Sequence, residues 1–447
     1  MREGCGGKDR EKPPIALVHR KPPFYASAMT TPPHSPARID VARRRASIDI
    51  RDPAFYSNPH ATYAALHAEC PAFFWEEPSQ WYFVGYDQVN ALLRDRRFGR
   101  QILHVATREE LGFPEPKPHL ADFDRLESLS LLELEPPAHT RLRTLVNRAF
   151  VSRQIEQLKP EISALANSII DGFEADGEVE LLKTYAEIIP VTVIARMLGV
   201  PSDVAPQLLD WSHRMVKMYV FNPTYETELD ANAASAEFGA YLKSLIDWKR
   251  THPADDLLTH MIVTEKDGER LSDDELISTA VLLLNAGHEA TVHQLGNAVR
   301  VILETGKSPE TIFADDTATE RTIEECMRFA APLHIFQRYA LADIELEDGI
   351  TLRKGDKIGL LLAAANVDPR KFSDPLRFAP DRNEGPHLSF GAGLHFCIGA
   401  PLARLELKLS LPILFQRLPG LRLSSPPRVR DSFHFHGLER LDLRWGR

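Results

Sequence analysis

The chain has 447 residues, 43% of them hydrophobic and 26% charged, with a formal net charge of −10. That is the composition of a globular protein able to bury a large core, and its acidic balance argues against nucleic acid as a partner. No apolar run reaches the ~18–20 residues of a membrane span, and 4 scattered cysteines without a signal-like N-terminus suit a reducing cytoplasm.

Residues 1–45 are rich in Pro, Arg and Lys and lack periodicity. They are expected to be a disordered or extension segment, with Met29 as an alternative start. Residues 46–447 contain no linker and read as one domain. Tyr63 to His67 fits a short helix, Phe73–Trp75 and Trp81–Val84 a hairpin, and Gln88 to Leu93 another helix. Phe98 to Pro137, with several prolines, reads as irregular. His139 and Arg143 are four apart, so on a helix they share one face and suit a pair of carboxylates. By itself that pair is more often a solvated face. Residues 153–265 read as successive helices punctuated by Pro190, Pro201, Pro223 and Pro253. The Met-rich stretch Met215 to Pro223 is core packing by default.

A long helix follows, from the capping box Ser272-Asp273-Asp274-Glu275 to the stop at Thr305-Gly306. About 33 residues at ~1.5 Å each cross a whole domain. In its middle, Asn285-Ala286-Gly287-His288-Glu289-Ala290-Thr291 interrupts an apolar run. A mid-helix Gly costs about 1 kcal/mol against Ala, and buried Glu and His cost more unless paired. Local penalties gathered in one place mark a functional site; a bend where helices cross is the structural alternative. A zinc-protease pair is excluded, because His293 follows His288 at five residues, about 140° round the helix. Further on, Glu325 and Arg328 form an i,i+3 acid–base pair, and residues 341–364 alternate about Asp348-Gly349 like paired strands.

The densest stretch is Ser389 to Ala400. Glycines flank Cys397, which suggests backbone packed where a Cβ would clash. Pro401 to Leu409 reads as an apolar-striped helix with Pro in its first turn. Cys397 then lies at a helix N-terminus, where free N–H groups and the dipole favour a thiolate, the metal-binding form. The alternative is a buried structural thiol. The other cysteines make no zinc pattern with it, whereas one axial thiolate is what a haem iron uses.

Phe390 to Gly399 fills every fixed position of Phe-Gly-x-Gly-x-His-x-Cys-x-Gly. The chain therefore resembles, over about residues 46–447, the bacterial soluble branch of the cytochrome P-450 family, the haem-thiolate monooxygenases. The resemblance implies a mainly α fold with small β-sheets (α+β), in which a long central helix crosses the haem and a Cys-ligand loop holds it. It implies haem b, with Cys397 as axial iron ligand and Phe390, Gly391, His395 and Gly399 around it. His139, Arg143 and Arg338 match the family's propionate partners, and Glu325, Arg328 and Arg382 its structural triad. In the central helix Ala286, Gly287, Glu289 and Thr291 match the oxygen-side pattern. Ala290 stands where the family usually has a threonine whose hydroxyl serves proton delivery, so Gly287, Glu289, Ala290 and Thr291 form the candidate catalytic segment. Leu283, Ala286, Leu333 and His334 are the candidate substrate pocket, with His334 and His434 able to orient a polar end.

The implied reaction inserts one atom of O2 into a mostly apolar small molecule, by hydroxylation or epoxidation. Electrons come from a separate ferredoxin and its reductase, and the protein is expected to be a cytoplasmic monomer with no membrane or nucleic-acid partner. Arg141, Arg404 and Lys408 are expected to form a basic patch on the Cys397 side for that acidic ferredoxin. The absent threonine leaves a haem-thiolate peroxygenase, isomerase or dehydratase as the alternative, and a non-catalytic haem-binding protein is a third class.

Overall fold

The computed structural model describes residues 36–149, 152–219, 223–266 and 268–446. Packing is organised around the central helix, Asp273–Thr305. The Ser272 side chain accepts from the Glu275 backbone, and Ser272 N donates back to Glu275 Oε2 at 2.8 Å. This satisfies two amides that a helix start leaves free. Gly306 ends the helix in the left-handed conformation, φ 64°. Buried residues run from Leu276 to Ile302 on nearly all sides. A helix apolar all round must be covered all round, here by Ile188–Met197, Ala205–Val216, Tyr225–Thr251, Asp316–Phe329 and Ala400–Arg417. The helix runs without a bulge through Gly287. A Cβ on Gly287 would lie 3.9 Å from Ile194, an ordinary contact, so helix crossing does not require this glycine.

Beside the helices stands a seven-stranded sheet, in the order Arg38–Asp40, Arg45–Ser47, Ala72–Trp75, Gln80–Phe83, Lys357–Leu361, Ile335–Ala340 and Phe98–Gly99. The expected hairpin registers Phe73 with Tyr82 and Phe74 with Trp81. Gly359 sits opposite Tyr82 on the adjoining parallel strand, and a Cβ there would lie 2.1 Å from the Tyr82 ring. The result is mainly helical with small sheets, the expected class.

Two expectations are corrected. Residues 1–35 lie outside the described residues, but Arg38–Asp40 pairs with Arg45–Ser47, so the sheet begins before residue 46. A short, charged edge strand carries little hydrophobic signal. Residues 98–137 are also less irregular than expected. They hold Phe98–Gly99, a capped turn at Arg108–Leu111 and the helix Ala121–Ser128, which buries Phe123 and Leu126. Pro114, Pro116 and Pro118 precede that helix and do not interrupt it.

Glu325, Arg328 and Arg382, the triad the family resemblance implies, come together. Arg328 clasps Glu325 with two bonds, Nε–Oε2 2.7 Å and Nη2–Oε1 2.8 Å, and Arg382 Nε lies 3.6 Å from Oε2. Glu325 also accepts from Ala379 N at 2.8 Å, while Arg328 donates to the Asn366 and Pro375 carbonyls. This buried fork joins the helix Asp316–Phe329 to the segment leading to Cys397.

Candidate active site

A cavity of about 320 Å³ separates the central helix from the start of the helix Ala400–Arg417. Leu283, Ala286, Gly287, Ala290 and Thr291 form one wall; Phe390, His395, Cys397 and Gly399 form the other. Leu333 and His434 also line it.

Local backbone chemistry aims the cysteine. Cys397 N donates to Phe390 O at 3.0 Å. Gly391 and Gly393 have φ 67° and 71°, and a Cβ on Gly393 would lie 2.6 Å from the Leu93 carbonyl. These glycines serve the left-handed turns of the loop and its seat on the helix Tyr86–Arg94. Burial pushes the Cys397 thiol up, while amide bonds from Gly399 and Ala400 and the charges of Arg143 and Arg404 pull the other way. The exposed surface of Cys397 faces the cavity.

His139 is fully buried on the helix Ala138–Ala149, and neither ring nitrogen has a partner among the described residues. Its ring stands 4.6 Å from that of His395. His395 Nε2 bonds Glu135 Oε1 at 3.2 Å, and its Nδ1 is unpartnered among the described residues. Burial, then His395 and Arg143, push His139 down to about 4. Held neutral in this way, it offers an N–H donor. Arg143 donates to Phe396 O at 2.8 Å. Arg338 is buried and donates to Gln337 O at 2.9 Å; burial and the neighbouring Arg100 bring it down to about 9. Arg100 was not expected. It lines the cavity, pairs with Glu133 and donates to the Leu132 and Gln337 carbonyls. It sits in a stretch without periodicity, where one arginine carries no signal.

On the opposite wall Thr291 Oγ1 donates to Gly287 O at 2.9 Å. Glu289 turns away from the cavity. Its Oε1 accepts from Arg430 Nη1 at 3.0 Å and lies 3.3 Å from His293 Nε2, which is itself 2.9 Å from Arg430 Nη1. Burial alone would raise this carboxyl. The His293 hydrogen bond, then the neighbouring imidazoles and the Arg430 guanidinium, outweigh it and hold Glu289 well below the usual carboxylate range.

Two further expectations fail. His334 does not line the cavity. It is buried behind the wall, Nδ1 2.8 Å from Tyr63 Oη, with its ring stacked on His436 at 4.4 Å. Leu333 faces the cavity instead, because neighbouring residues of extended backbone point to opposite sides. The basic patch is compensated. Arg141 pairs with Glu275, Arg404 with Glu324 at 2.6 Å, and Lys408 with Asp316 at 3.0 Å and Glu320 at 2.8 Å. Asp316, Glu320 and Glu324 are spaced i, i+4 along one helix, so they form an acidic stripe opposite Arg404 and Lys408.

The comparisons agree with this geometry. The family model described as Cytochrome P450 matches residues 314–433. The chain is 35% identical to "Cytochrome P450 monooxygenase PikC" of Streptomyces venezuelae, over 88% of this chain and 92% of that protein. It is 34% identical to "Vitamin D(3) 25-hydroxylase" of Pseudonocardia autotrophica, over 89% and 96%. The solved structure of P450BioI in complex with hexadec-9Z-enoic acid ligated acyl carrier protein superposes with TM-score 0.81 at 31% identity, covering 88% of this chain and all (100%) of that one. Members of this family bind haem b through a thiolate. The cavity here fits that group: a thiol faces it and His395, Arg100 and Arg143 line it, while His139, its ring nitrogens unpartnered among the described residues, and Arg338 stand beside His395 and are not among the lining residues. Among the described residues no helix is long and apolar enough to cross a membrane. The chain belongs to the cytochrome P450 family, as a monooxygenase whose cofactor is haem b.

Proposed function

We propose that the chain hydroxylates or epoxidises a mostly apolar small molecule with Cys397 as the haem-iron ligand, drawing electrons from a separate ferredoxin and its reductase. It acts as a cytoplasmic monomer with one haem domain. The observation that carries this is the Cys397 sulfur opening into a cavity whose far wall is Leu283, Ala286 and Gly287, with Leu333 beside them. When bound, the haem supplies O2 activation through the electron push of its thiolate.

The protein's own groups have separate tasks. Amides of Gly399 and Ala400 and the Arg143 charge favour the thiolate against burial. His139 offers an N–H group, and Arg338 and Arg100 offer charge, to the two propionates, while the His395 N–H is committed to Glu135. The apolar wall excludes water. His434 and Tyr219 reach the same cavity and can orient one polar end of the substrate. Relatives named as a vitamin D(3) hydroxylase and as bound to a fatty-acyl carrier protein support a medium-sized apolar substrate. For proton delivery, Thr291 has its hydroxyl proton committed to Gly287 O, Ala290 has no hydroxyl, and Glu289 stays ionised behind the helix. A hydroxyl or carboxyl of the substrate, or a water that it orders, completes the delivery.

Cys397→Ser followed by a carbon-monoxide spectrum of the reduced protein tests the ligand: loss of the thiolate-type Soret band is expected, and its survival overturns the assignment. Turnover should require added ferredoxin and reductase. Equal turnover with peroxide alone would favour the peroxygenase reading.

A further inference from the structure

Beyond the haem cavity, two helices bring together a second set of metal-ligating groups. His213 lies on the helix Ala205–Val216, and His288 and Glu289 lie on the central helix. His288 Nε2 approaches Glu289 Oε2 to 3.8 Å and His213 Nε2 approaches the same oxygen to 3.9 Å. The three ligand atoms lie within 4.8 Å of one another. Those separations are too long for hydrogen bonds, so two imidazole nitrogens converge on one carboxylate oxygen without bonding it.

His288 is poised as a ligand. It is fully buried at 0% exposure, and its Nε2 has no partner among the described residues. Leaving a buried nitrogen unpaired is costly. Its other nitrogen, Nδ1, lies 3.5 Å from Ser212 Oγ. A proton on Nδ1, shared with Ser212, leaves the Nε2 lone pair bare and aimed at the cluster, the arrangement in which imidazole binds metal.

We infer that His213, His288 and Glu289 form a zinc-binding site that staples the helix Ala205–Val216 to the central helix. Zn–N and Zn–O bonds of ~2.0–2.2 Å set ligand atoms about 3.4 Å apart in a tetrahedron. The observed spacings need a contraction of roughly half an ångström to a little over one. His213 can make that movement, since its side chain is 42% exposed. Two imidazoles and one carboxylate suit zinc and not magnesium, and the fourth position is open to water. Arg430 holds the other oxygen of Glu289, Oε1, at 3.0 Å, and at 47% side-chain exposure it can swing away from an arriving cation. Val216 and Tyr219, at the end of the stapled segment, line the haem cavity. Zinc would therefore bind where it restrains the cavity roof and occupies Glu289.

The test is calorimetric titration of the haem-loaded protein with Zn²⁺, with Mg²⁺ as control. One strong equivalent of zinc is expected. His213→Ala should weaken it by at least about tenfold, the lower end of the loss for removing even an outer-sphere partner. Amide hydrogen exchange over residues 205–216 should slow with zinc in the wild type and not in His213→Ala. His213 is partly exposed, so the variant should keep the wild-type carbon-monoxide spectrum, which separates a failed zinc site from a failed haem assignment. Absence of binding, unchanged affinity in His213→Ala, or binding that leaves exchange at 205–216 unaltered would each overturn the staple.

Discussion

Thr291 Oγ1 donates to the carbonyl oxygen of Gly287, one turn earlier in the central helix, at 2.9 Å. Its neighbour Ala290 presents only a methyl to the cavity. The helix has no bulge that would turn Thr291 into the place of Ala290, and one residue rotates about 100°. Ala290→Thr should therefore raise product formed per reductant consumed severalfold for substrates lacking a hydroxyl or carboxyl, and change the natural reaction little. Thr291→Ala should have a smaller effect. A collapse of coupling in Thr291→Ala, indifferent to the polar group of the substrate, would refute substrate-assisted delivery.

The Glu325 fork should behave as a buried ion network. Its members are at most 7% exposed in their side chains, and removing one partner leaves a buried charge. Glu325→Gln should cost about 3–5 kcal/mol in denaturant unfolding. Asp374→Asn, which breaks the exposed pair with Arg377, should stay within about 1 kcal/mol. Similar losses for both would show that the fork does not hold the fold.

Glu406 lines the cavity from the Cys397 side and is 2% exposed. Burial pushes its carboxyl up to about 8 from an ordinary 4.5. The folded state then binds its proton more firmly than the unfolded state. Stability from this group is full below the ordinary value and is lost as pH rises through about 8. Glu406→Gln should leave the melting temperature nearly unchanged at pH 5 and raise it at pH 9. Equal shifts at both pH values would show that Glu406 does not titrate this way.

Docking of the proposed ferredoxin partner should depend weakly on ionic strength. Arg404 and Lys408 already face Glu324, Asp316 and Glu320, so they add little net field toward an acidic partner. Stopped-flow reduction rates should change less than severalfold between low and physiological salt. A steep decline would show that uncompensated cations steer the encounter.

What the sequence determined by itself was local. The Ser272 capping box, the glycines before Cys397 and the His139–Arg143 spacing are set by neighbours within a turn or two. They placed the central helix, the cysteine loop and a pair of groups on one helix face. Helix spacing paired Glu325 with Arg328, but the triad with Arg382 was legible only through the family resemblance, because Arg382 reaches the pair through the tertiary fold. Tertiary structure alone decided which way side chains point and what faces them. It turned Glu289 toward His293 and Arg430, sent His334 behind the wall, and added Arg100 from a stretch with no periodic signal. It also set an acidic helix against Arg404 and Lys408, and brought His213 to His288 and Glu289 across two helices. Hydrophobic periodicity specifies which face of an element is buried. Pairings between distant polar groups depend on the docking of whole elements, which no local window encodes.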